Sequence, residues 1–182
     1  GISSKEVDII NFESVNNYFQ NNNADVVINL CGFNYDSFIH KIDQSNIDNI
    51  TKILDINIIG SLNITSCALN QMRKNNFGRI ILISSVLSRK IQLGTGVYSA
   101  SKAFIDSLVK MASAENITKG ITCNSIRLGY WGEGMCERMP PNIQENVINS
   151  IPLKRWGRIE ELYSTIEYLI KTEYITGQNI EI

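Results

Sequence analysis

Residues 78–104 carry the pattern that most restricts how this chain can fold. An apolar, largely β-branched run at residues 80–83 ends in Ser84 and Ser85, and a run of this kind is typical of a strand buried on both faces. After a loop that contains two glycines, apolar residues recur at helical spacing from Tyr98 onward. The segment therefore predicts a buried strand and a helix with polar side chains between them.

Tyr98 and Lys102 are four residues apart in the predicted helix, so their side chains share one helix face. A phenol has a pKa of about 10 and is a poor base at neutral pH unless a nearby cation stabilises its phenolate. Lowering that pKa to about 7 requires roughly 4 kcal/mol of differential stabilisation, which needs a partly desolvated site with positive charge nearby. Lys102 is placed to supply that charge, although the spacing alone is weakly specific.

The rest of the chain alternates predicted strands with predicted helices. The strands cover residues 26–32, 79–84, 121–127 and 179–182, with the end of another at residues 5–10. The helices cover residues 11–19, 43–75, 98–115, 142–149 and 158–170. Asn57 and Gly60 interrupt the apolar stripe of the second helix. Such alternation predicts the α/β class, with a parallel sheet and helices on both of its faces.

Size and composition limit the partners of the chain. Its 182 residues, 43% hydrophobic and 19% charged, suit one globular domain. A net charge of -1 with scattered basic residues offers no field for a phosphate backbone, which argues against nucleic acid. No apolar run reaches the length of a membrane span, and the first residues do not resemble a signal peptide. We therefore expect a cytoplasmic protein that does not bind membranes.

The cysteines and the histidine argue against a metal site. His40 is the only histidine, and the four cysteines show no close pairing such as C-x-x-C. Few metal ligands are therefore available. We expect no metal, and we expect Cys31, Cys67, Cys123 and Cys136 to be free and mostly buried thiols.

Several polar and glycine residues are predicted to meet at one edge of the sheet. In open α/β sheets, ligands bind beyond the carboxyl ends of the strands. Asn29, Gly32, Ser85 and Gly129 all follow predicted strands, and the Tyr98 helix begins at the same edge. Their convergence predicts a ligand site there, which the Tyr98 and Lys102 pair alone would not.

The chain resembles the short-chain dehydrogenase/reductase family, nearest to its 3-oxoacyl-carrier-protein reductase type. The matching segments are INLCG at 28–32, DINIIGS at 55–61, GRIILISS at 78–85, YSASK at 98–102, ITCNSIRLG at 121–129, IPLKRWGRIEEL at 151–162 and YITGQNIEI at 174–182. They follow the family's order and cover nearly the whole chain. The resemblance implies a three-layer, Rossmann-like parallel sheet and an oxidoreductase that uses NAD or NADP.

The resemblance also implies roles for four catalytic residues. Tyr98 would donate or accept the proton at the substrate oxygen, and Ser85 would orient that carbonyl or hydroxyl group. Lys102 would lower the pKa of the tyrosine and hold the nicotinamide ribose, while Asn57 would anchor a water that relays protons to the lysine. These roles fit general acid–base chemistry, because hydride transfer to a carbonyl carbon leaves an oxygen that needs a proton.

Five further positions are implied to bind the cofactor. Asn29 and Gly32 correspond to a family segment near the adenine ribose, and Asp8 corresponds to an acidic residue that contacts adenine. Gly129 and Trp131 fall where the backbone meets the nicotinamide carboxamide.

Some positions depart from the family pattern. Leu30 and Cys31 replace an asparagine and an alanine, which is tolerable if backbone groups make the contacts. Leu128 replaces the usual proline, and Glu133 stands where a threonine often contacts the carboxamide.

The family's first strand and its glycine-rich turn have no counterpart here. That turn opens a helix whose N-terminus holds the pyrophosphate, and nothing before Asp8 could supply it. The family's tail after Ile182 is also missing. We therefore expect residues 1–182 to form a single partial domain that is truncated at its N-terminus.

The favoured function is an NAD(P)-dependent oxidoreductase that interconverts a carbonyl and a secondary alcohol on a small-molecule substrate, as a homo-dimer or homo-tetramer. The alternative is a non-catalytic, cofactor-free chain that acts through subunit association, since helices equivalent to 57–72 and 98–111 commonly form interfaces in this family. A third possibility is a nucleotide-sugar epimerase or dehydratase, which shares the Tyr-x-x-x-Lys pattern but usually has a longer C-terminal domain.

Overall fold

The computed structural model describes residues 1–132, 134 and 139–182. Its central element is a parallel sheet. Within these residues the sheet has four strands in the order β1-β2-β3-β4, and each neighbouring pair is parallel. The strands are β1 Val26–Asn29, β2 Gly78–Ser85, β3 Ile121–Leu128 and β4 Asn179–Glu181.

The described α-helices connect and cover these strands. They are α1 Phe12–Asn21, α2 Ile47–Leu54, α3 Ser61–Asn75, α4 Gly96–Asn116, α5 Pro141–Ser150 and α6 Ile159–Lys171. A π-helical segment, Asp55–Gly60, joins α2 to α3. Short 3-10 turns occupy Ile39–Lys41, Val86–Ser88 and Ile117–Lys119.

Two layers of apolar side chains bury the two faces of the sheet. On one face, α3 and α4 pack against β2 and β3 through Ala68, Met72, Ile80, Leu82, Ile105, Val109, Ala112, Ile121 and Cys123. On the other face, α6 packs against the same strands through Ile81, Ile83, Ile126, Leu162, Ile166, Leu169 and Ile170. Because both faces are covered, the middle of β2, residues 80–83, is an uninterrupted apolar run. The predicted three-layer α/β fold with a parallel sheet is confirmed.

Two predicted strand limits were wrong. Residues 5–10 form turns instead of a strand end, with the Glu6 amide donating to the Ser3 carbonyl at 2.9 Å. A strand needs a hydrogen-bonded neighbour, and no described strand pairs with this segment. β1 ends at Asn29 instead of Gly32, because Asn29 Oδ1 accepts a hydrogen bond from the Cys31 amide at 3.0 Å and the chain turns there.

The outer edge of β1 is open. Among the described strands β1 pairs with β2 alone, and a cavity of about 700 Å³ lies beside it. Apolar side chains from the first residues and α1, including Val7, Ile9 and Val15, line this cavity together with Val26 and Ile28 of β1. The layer that α6 forms over β2 and β3 therefore does not extend over β1.

Within the described residues, no helix combines the length and the apolar character that a membrane crossing requires.

Candidate active site

Lys102 lies at the centre of the candidate site, on the face of α4 that packs against β2. Its side chain is buried, with 3% of the residue exposed, and Nζ donates a hydrogen bond to the Ile83 carbonyl at 2.9 Å. The Ser84 hydroxyl donates to the Lys102 backbone carbonyl at 3.1 Å. Two neighbouring residues of β2 therefore fix both the backbone and the ammonium group of Lys102.

Burial also sets the charge behaviour of Lys102. Desolvation lowers the pKa of its ammonium group to about 8, whereas the nearby Asp106 and Cys31 raise that pKa. At neutral pH the ammonium group is still mostly protonated, because its pKa remains above 7. Lys102 is therefore a buried cation that loses its proton far more readily than an ordinary lysine.

Tyr98 lies one helical turn before Lys102 and is also buried. The Lys102 Nζ is 5.7 Å from the centroid of the Tyr98 ring, so the cation lies against the ring that carries the phenol group. In a desolvated site, a cation this close favours the negatively charged form of a neighbouring phenol. The geometry of α4 thus places the Lys102 ammonium group beside the Tyr98 ring, and its effect on the phenol stays a prediction.

Ser85 is the last residue of β2 and lies two residues beyond the carbonyl that holds Lys102. Its Oγ accepts a hydrogen bond from the Leu87 amide at 3.2 Å and caps the short turn Val86–Ser88. In this bond the hydroxyl acts as an acceptor, so its proton can still be donated to a substrate oxygen. Ser85 therefore lies at the carboxyl edge of the sheet with its donor function available.

Asn57 is fully buried in the π-helical segment Asp55–Gly60. Its Nδ2 donates to the Phe33 carbonyl and to the Ser101 hydroxyl, each at 2.9 Å, and its Oδ1 accepts from the Phe33 amide at 2.8 Å. Asn57 thereby ties the loop that follows Gly32 to the residue directly before Lys102. The predicted helix interruption is a widened turn, a feature frequent at functional sites.

The turn after β1 faces the same region. Asn29 is buried and donates from Nδ2 to the Ser61 hydroxyl at 3.1 Å. Cys31 follows it, and the pKa of its thiol is raised by burial and lowered by the charge of Lys102, so the two side chains interact. Gly32 and Asp8 line the cavity beside β1 with Asn29. Asp8 itself is exposed.

Gly129 and Trp131 extend from the end of β3. Ser85 and Leu128 are partners in the β2–β3 register, so Gly129 lies just beyond the strand pair that ends in Ser85, and its amide donates to the Ile182 carbonyl at 2.8 Å. Trp131 forms an isolated bridge with Gly157. The bridge and the close approach of Gly157 to its ring place Trp131 against the segment before α6.

The site residues expected from the sequence thus divide into two groups. Hydrogen bonds, the ring contact and the strand register bring Asn57, Ser85, Tyr98 and Lys102 together, with the Asn29–Gly32 turn beside them. Asp8 and Trp131 lie at the periphery, and Glu133 falls outside the described residues. Ser101, which holds Asn57, was not predicted from the sequence; its position directly before Lys102 was the available signal.

The thiols and possible metal ligands do not form a second site in the described part of the chain. Cys67, Cys123 and Cys31 are free, as expected. Burial is confirmed for Cys67 and Cys123, whereas Cys31 is exposed. Cys136 lies outside the described residues. The described histidine, cysteine and carboxylate side chains form no group of three or more that could hold a metal ion.

Comparison with known proteins identifies related chains. The profile of a family described as enoyl-(acyl carrier protein) reductase matches residues 5–182. The chain is 34% identical over 161 residues to nodulation protein G of Azospirillum brasilense, covering 87% of this chain and 64% of that protein. It is 35% identical over 159 residues to an acetoacetyl-CoA reductase of Shinella zoogloeoides, covering 86% and 65%. A 3-oxoacyl-[acyl-carrier-protein] reductase of Staphylococcus aureus is 31% identical over 160 residues, with coverage of 87% and 64%.

Solved structures show the same fold. NAD⁺-bound xylitol dehydrogenase superposes with a TM-score of 0.89 at 24% identity, covering 97% of this chain and 76% of that chain. ElxO with NADP bound superposes with a TM-score of 0.87 at 21% identity, covering 97% and 74%. The chain spans slightly less than two thirds of the length of the curated relatives. From the family profile and these relatives, the chain belongs to the short-chain dehydrogenase/reductase family.

Proposed function

We propose that this chain carries the proton-transfer site of an NAD(P)-dependent oxidoreductase that interconverts a carbonyl and a secondary alcohol. The observation that carries the proposal is the placement of Lys102. Its buried ammonium group is held against the Ile83 carbonyl and lies 5.7 Å from the Tyr98 ring, at the edge of the sheet where α/β proteins bind ligands. The names of the curated relatives, two of them reductases of 3-oxoacyl groups, support the same reaction class.

The residues of the site fit the nicotinamide ribose end of NAD or NADP. An ammonium group has three N–H donors, and among the described residues Lys102 uses one, toward the Ile83 carbonyl. Two donors therefore remain for hydroxyl groups such as those of a ribose. The bound cofactor would supply or accept the hydride. We propose Asn29, Gly32 and Asp8 for its adenosine part, and Gly129 and Trp131 for its carboxamide.

The phosphates of the cofactor require a different structural element. A pyrophosphate is commonly held by a glycine-rich turn between a strand and the helix that follows it. The described residues contain no turn of this kind, since β1 is followed by a loop and a short 3-10 turn. The proposal for this chain therefore concerns the nicotinamide end and the proton-transfer residues.

Tyr98 would move the proton at the substrate oxygen. Reduction of a carbonyl creates negative charge on that oxygen, so a nearby acid must supply a proton, and the reverse reaction needs a base. The Lys102 cation stabilises the phenolate of Tyr98 and so lowers the cost of releasing the proton. Ser85 would donate its hydroxyl proton to the same substrate oxygen and fix its direction.

Asn57 would support this proton transfer from behind Lys102. Its side-chain amide already bonds Phe33 and Ser101, so a water that relays protons to Lys102 would be held by the backbone carbonyl of Asn57. The π-helical segment supports this reading, because a widened helical turn disturbs the regular backbone hydrogen bonds.

Two segments would select the substrate, which we propose is a small molecule. Residues 86–97 follow Ser85 and expose the apolar side chains of Ile91 and Leu93. The Tyr130 hydroxyl donates to Gln92 Oε1 at 2.9 Å and so connects this segment to the one after β3. Exposed apolar side chains beside a polar catalytic group suit a substrate with a short hydrocarbon part.

We also propose a cytoplasmic homo-dimer or homo-tetramer. Ile59, Leu62 and Met111, on the π-helical segment, α3 and α4, expose large apolar side chains, which is typical of association surfaces when such residues are contiguous. Sedimentation over a range of protein concentrations measures the assembly. A monomer at all concentrations would contradict this part of the proposal.

The substitution Tyr98→Phe tests the catalytic assignment. We expect it to abolish turnover of acetoacetyl-CoA and of simple ketones, followed through nicotinamide absorbance with NADH and NADPH, because the ring remains but the transferable proton is lost. Tyr163→Phe, at an exposed tyrosine on α6, is the matched control and should keep the parent activity. Retained activity in Tyr98→Phe would end the assignment.

A second candidate function is association without catalysis, and the open edge of β1 with its cavity favours it. Titration of NADH and NADPH against the 182-residue chain separates the two functions. Cofactor binding that depends on Lys102 favours the oxidoreductase, whereas absence of binding together with stable self-association favours the second candidate.

A further inference from the structure

Asp106 continues the stripe of Tyr98 and Lys102 along α4. The three residues follow each other at intervals of four, so they lie on one face of the helix. Asp106 is buried, and its Oδ2 accepts a hydrogen bond from Arg127 Nε at 2.9 Å. Its Oδ1 lies 3.3 Å from the Ser125 hydroxyl. A buried carboxylate thus lies one helical turn from the proposed catalytic cation.

The partner of Asp106 lies on β3. The side chains of Arg127 and Asp106 are 11% and 9% exposed, so the ion pair is buried between the helix and the sheet. A buried ion pair loses solvation and often contributes little net stability compared with apolar side chains of similar size. Because the pair is buried one helical turn from Lys102, its carboxylate is little screened by solvent and can act on the Lys102 ammonium group.

We propose that Asp106 is a positioning residue for Lys102, whose carboxylate holds the Lys102 side chain in its charged form while Arg127 limits the strength of that effect. This proposal rests on the proposed role of Lys102 in proton transfer. No residue of the pair would touch the substrate or the cofactor, so both residues act through Lys102.

Asp106 is the charged counterpart of Lys102 among the residues that the structure describes. Among the described residues, the titratable groups that interact with Lys102 are Cys31 on the turn after β1, and Tyr98 and Asp106 on α4. Burial raises the pKa of the Cys31 thiol, which keeps it neutral near pH 7. From β2, Lys102 receives the Ile83 carbonyl, an uncharged acceptor. Within the described part of the chain, the carboxylate of Asp106 is thus the negative charge that opposes the lowering of the Lys102 pKa by burial.

Removing the charge of Asp106 and removing the charge of Arg127 should shift the Lys102 pKa in opposite directions. Asp106→Asn removes the negative charge with almost no change in shape, so the pKa of Lys102 should fall below its parent value of about 8. Arg127→Gln removes the positive charge that offsets Asp106, so the same pKa should rise. A purely structural role gives a different result, because loosening of α4 would expose Lys102 to water and raise its pKa in both variants.

The experiment is an NMR titration of the Lys102 side-chain Cε resonance in the 182-residue chain, assigned through Lys102→Arg. We expect a downward shift of about one pKa unit in Asp106→Asn and an upward shift in Arg127→Gln. Arg127→Lys keeps the charge and should stay near the parent value. Glu173→Gln removes the largely exposed partner of the buried Arg79, a carboxylate that is not among the groups acting on Lys102, and should leave the Lys102 pKa unchanged.

An unchanged or raised Lys102 pKa in folded Asp106→Asn would overturn the proposal. If Asp106→Asn does not fold, the double variant Asp106→Asn with Arg127→Gln replaces it, because it removes both buried charges together. Its Lys102 pKa should lie below that of Arg127→Gln alone, and an equal or higher value overturns the proposal. The titration does not depend on turnover, so its result is separate from the outcome of the Tyr98→Phe assay.

Discussion

Asn57 donates a hydrogen bond from Nδ2 to the Ser101 hydroxyl at 2.9 Å, although 44 residues separate them in sequence. The Ser101 hydroxyl in turn donates to the Tyr98 carbonyl at 2.7 Å. A short chain of hydrogen bonds therefore runs from the π-helical segment to the turn of α4 that carries Tyr98 and Lys102.

This series of hydrogen bonds continues into the turn after β1. Asn57 also holds both backbone groups of Phe33, the residue that follows Gly32. One fully buried side chain thus connects the proposed cofactor-binding turn with the proposed proton-transfer helix. Satisfied buried polar networks make a site rigid, because each lost bond leaves an unpaired group away from water.

Replacement of Asn57 by alanine should destabilise the chain strongly. It leaves Phe33 and Ser101 without their buried partner, and the expected loss in the free energy of unfolding is about 3 kcal/mol. Urea unfolding followed by circular dichroism measures it. Asn70→Ala, at an exposed position of α3, should change stability only slightly. Equal stability of both variants would show that the network contributes nothing.

The local patterns of the sequence predicted the fold well where the signal was itself local. The apolar run before Ser84 and the helical spacing after Tyr98 gave β2 and α4, with α4 starting two residues earlier at Gly96. The interruption at Asn57 was also visible, because asparagine and glycine there break an apolar stripe. Its form as a π-helical segment was not, since the widened turn depends on bonds to Phe33 and Ser101.

The contacts that depend on distant parts of the chain could not be predicted. The Asp106 and Arg127 pair forms only when α4 packs on β3 at one particular position along the strand. The apolar spacing within either element does not specify that position. Residues 5–10 have strand-like composition, yet strand formation depends on a neighbour that no local pattern specifies. The placement of Ser85, Tyr98 and Lys102 at one edge was predictable because parallel strands end at the same side of a sheet.

The buried ammonium group of Lys102 should make stability depend on pH. Its pKa is about 8 in the folded chain, against an ordinary value of 10.5. Between these pH values the unfolded chain binds more protons than the folded chain, so the contribution of Lys102 to the free energy of unfolding rises with pH. Below pH 8 the ammonium group is charged in both states, and the free-energy cost of burying that charge is fully present.

Lys102→Met removes the free-energy cost of burying a charged ammonium group. We expect the variant to be more stable than the parent at pH 7 by up to about 3 kcal/mol, with the difference shrinking as pH rises from 8 toward 10.5. Chemical unfolding of both proteins across this range gives the difference directly. A constant difference at every pH would contradict the buried, readily deprotonated state of Lys102.

The open edge of β1 should promote association of the isolated chain. Unpaired edge strands with apolar side chains pair with other strands, and a lysine there prevents such pairing. Ile28 lies on β1 and is 38% exposed, so Ile28→Lys should reduce the concentration-dependent light scattering of the chain. Ile143→Lys, at an equally exposed isoleucine on α5, is the control. Equal reduction by both would mean that general charge, and not the edge, controls association.

The position of Trp131 should depend on the absence of a side chain at residue 157. A Cβ atom placed on Gly157 would lie 2.7 Å from the Trp131 ring, far closer than ordinary contact, so Gly157→Ala should displace the ring and disturb the bridge between the two residues. We expect a red shift of tryptophan emission, with Trp131→Phe used to subtract the signal of Trp156.

If Trp131 contributes to cofactor binding, Gly157→Ala should weaken NADH or NADPH binding several-fold while the Lys102 titration stays unchanged. Unaltered emission in Gly157→Ala would show that the ring does not rest on this glycine.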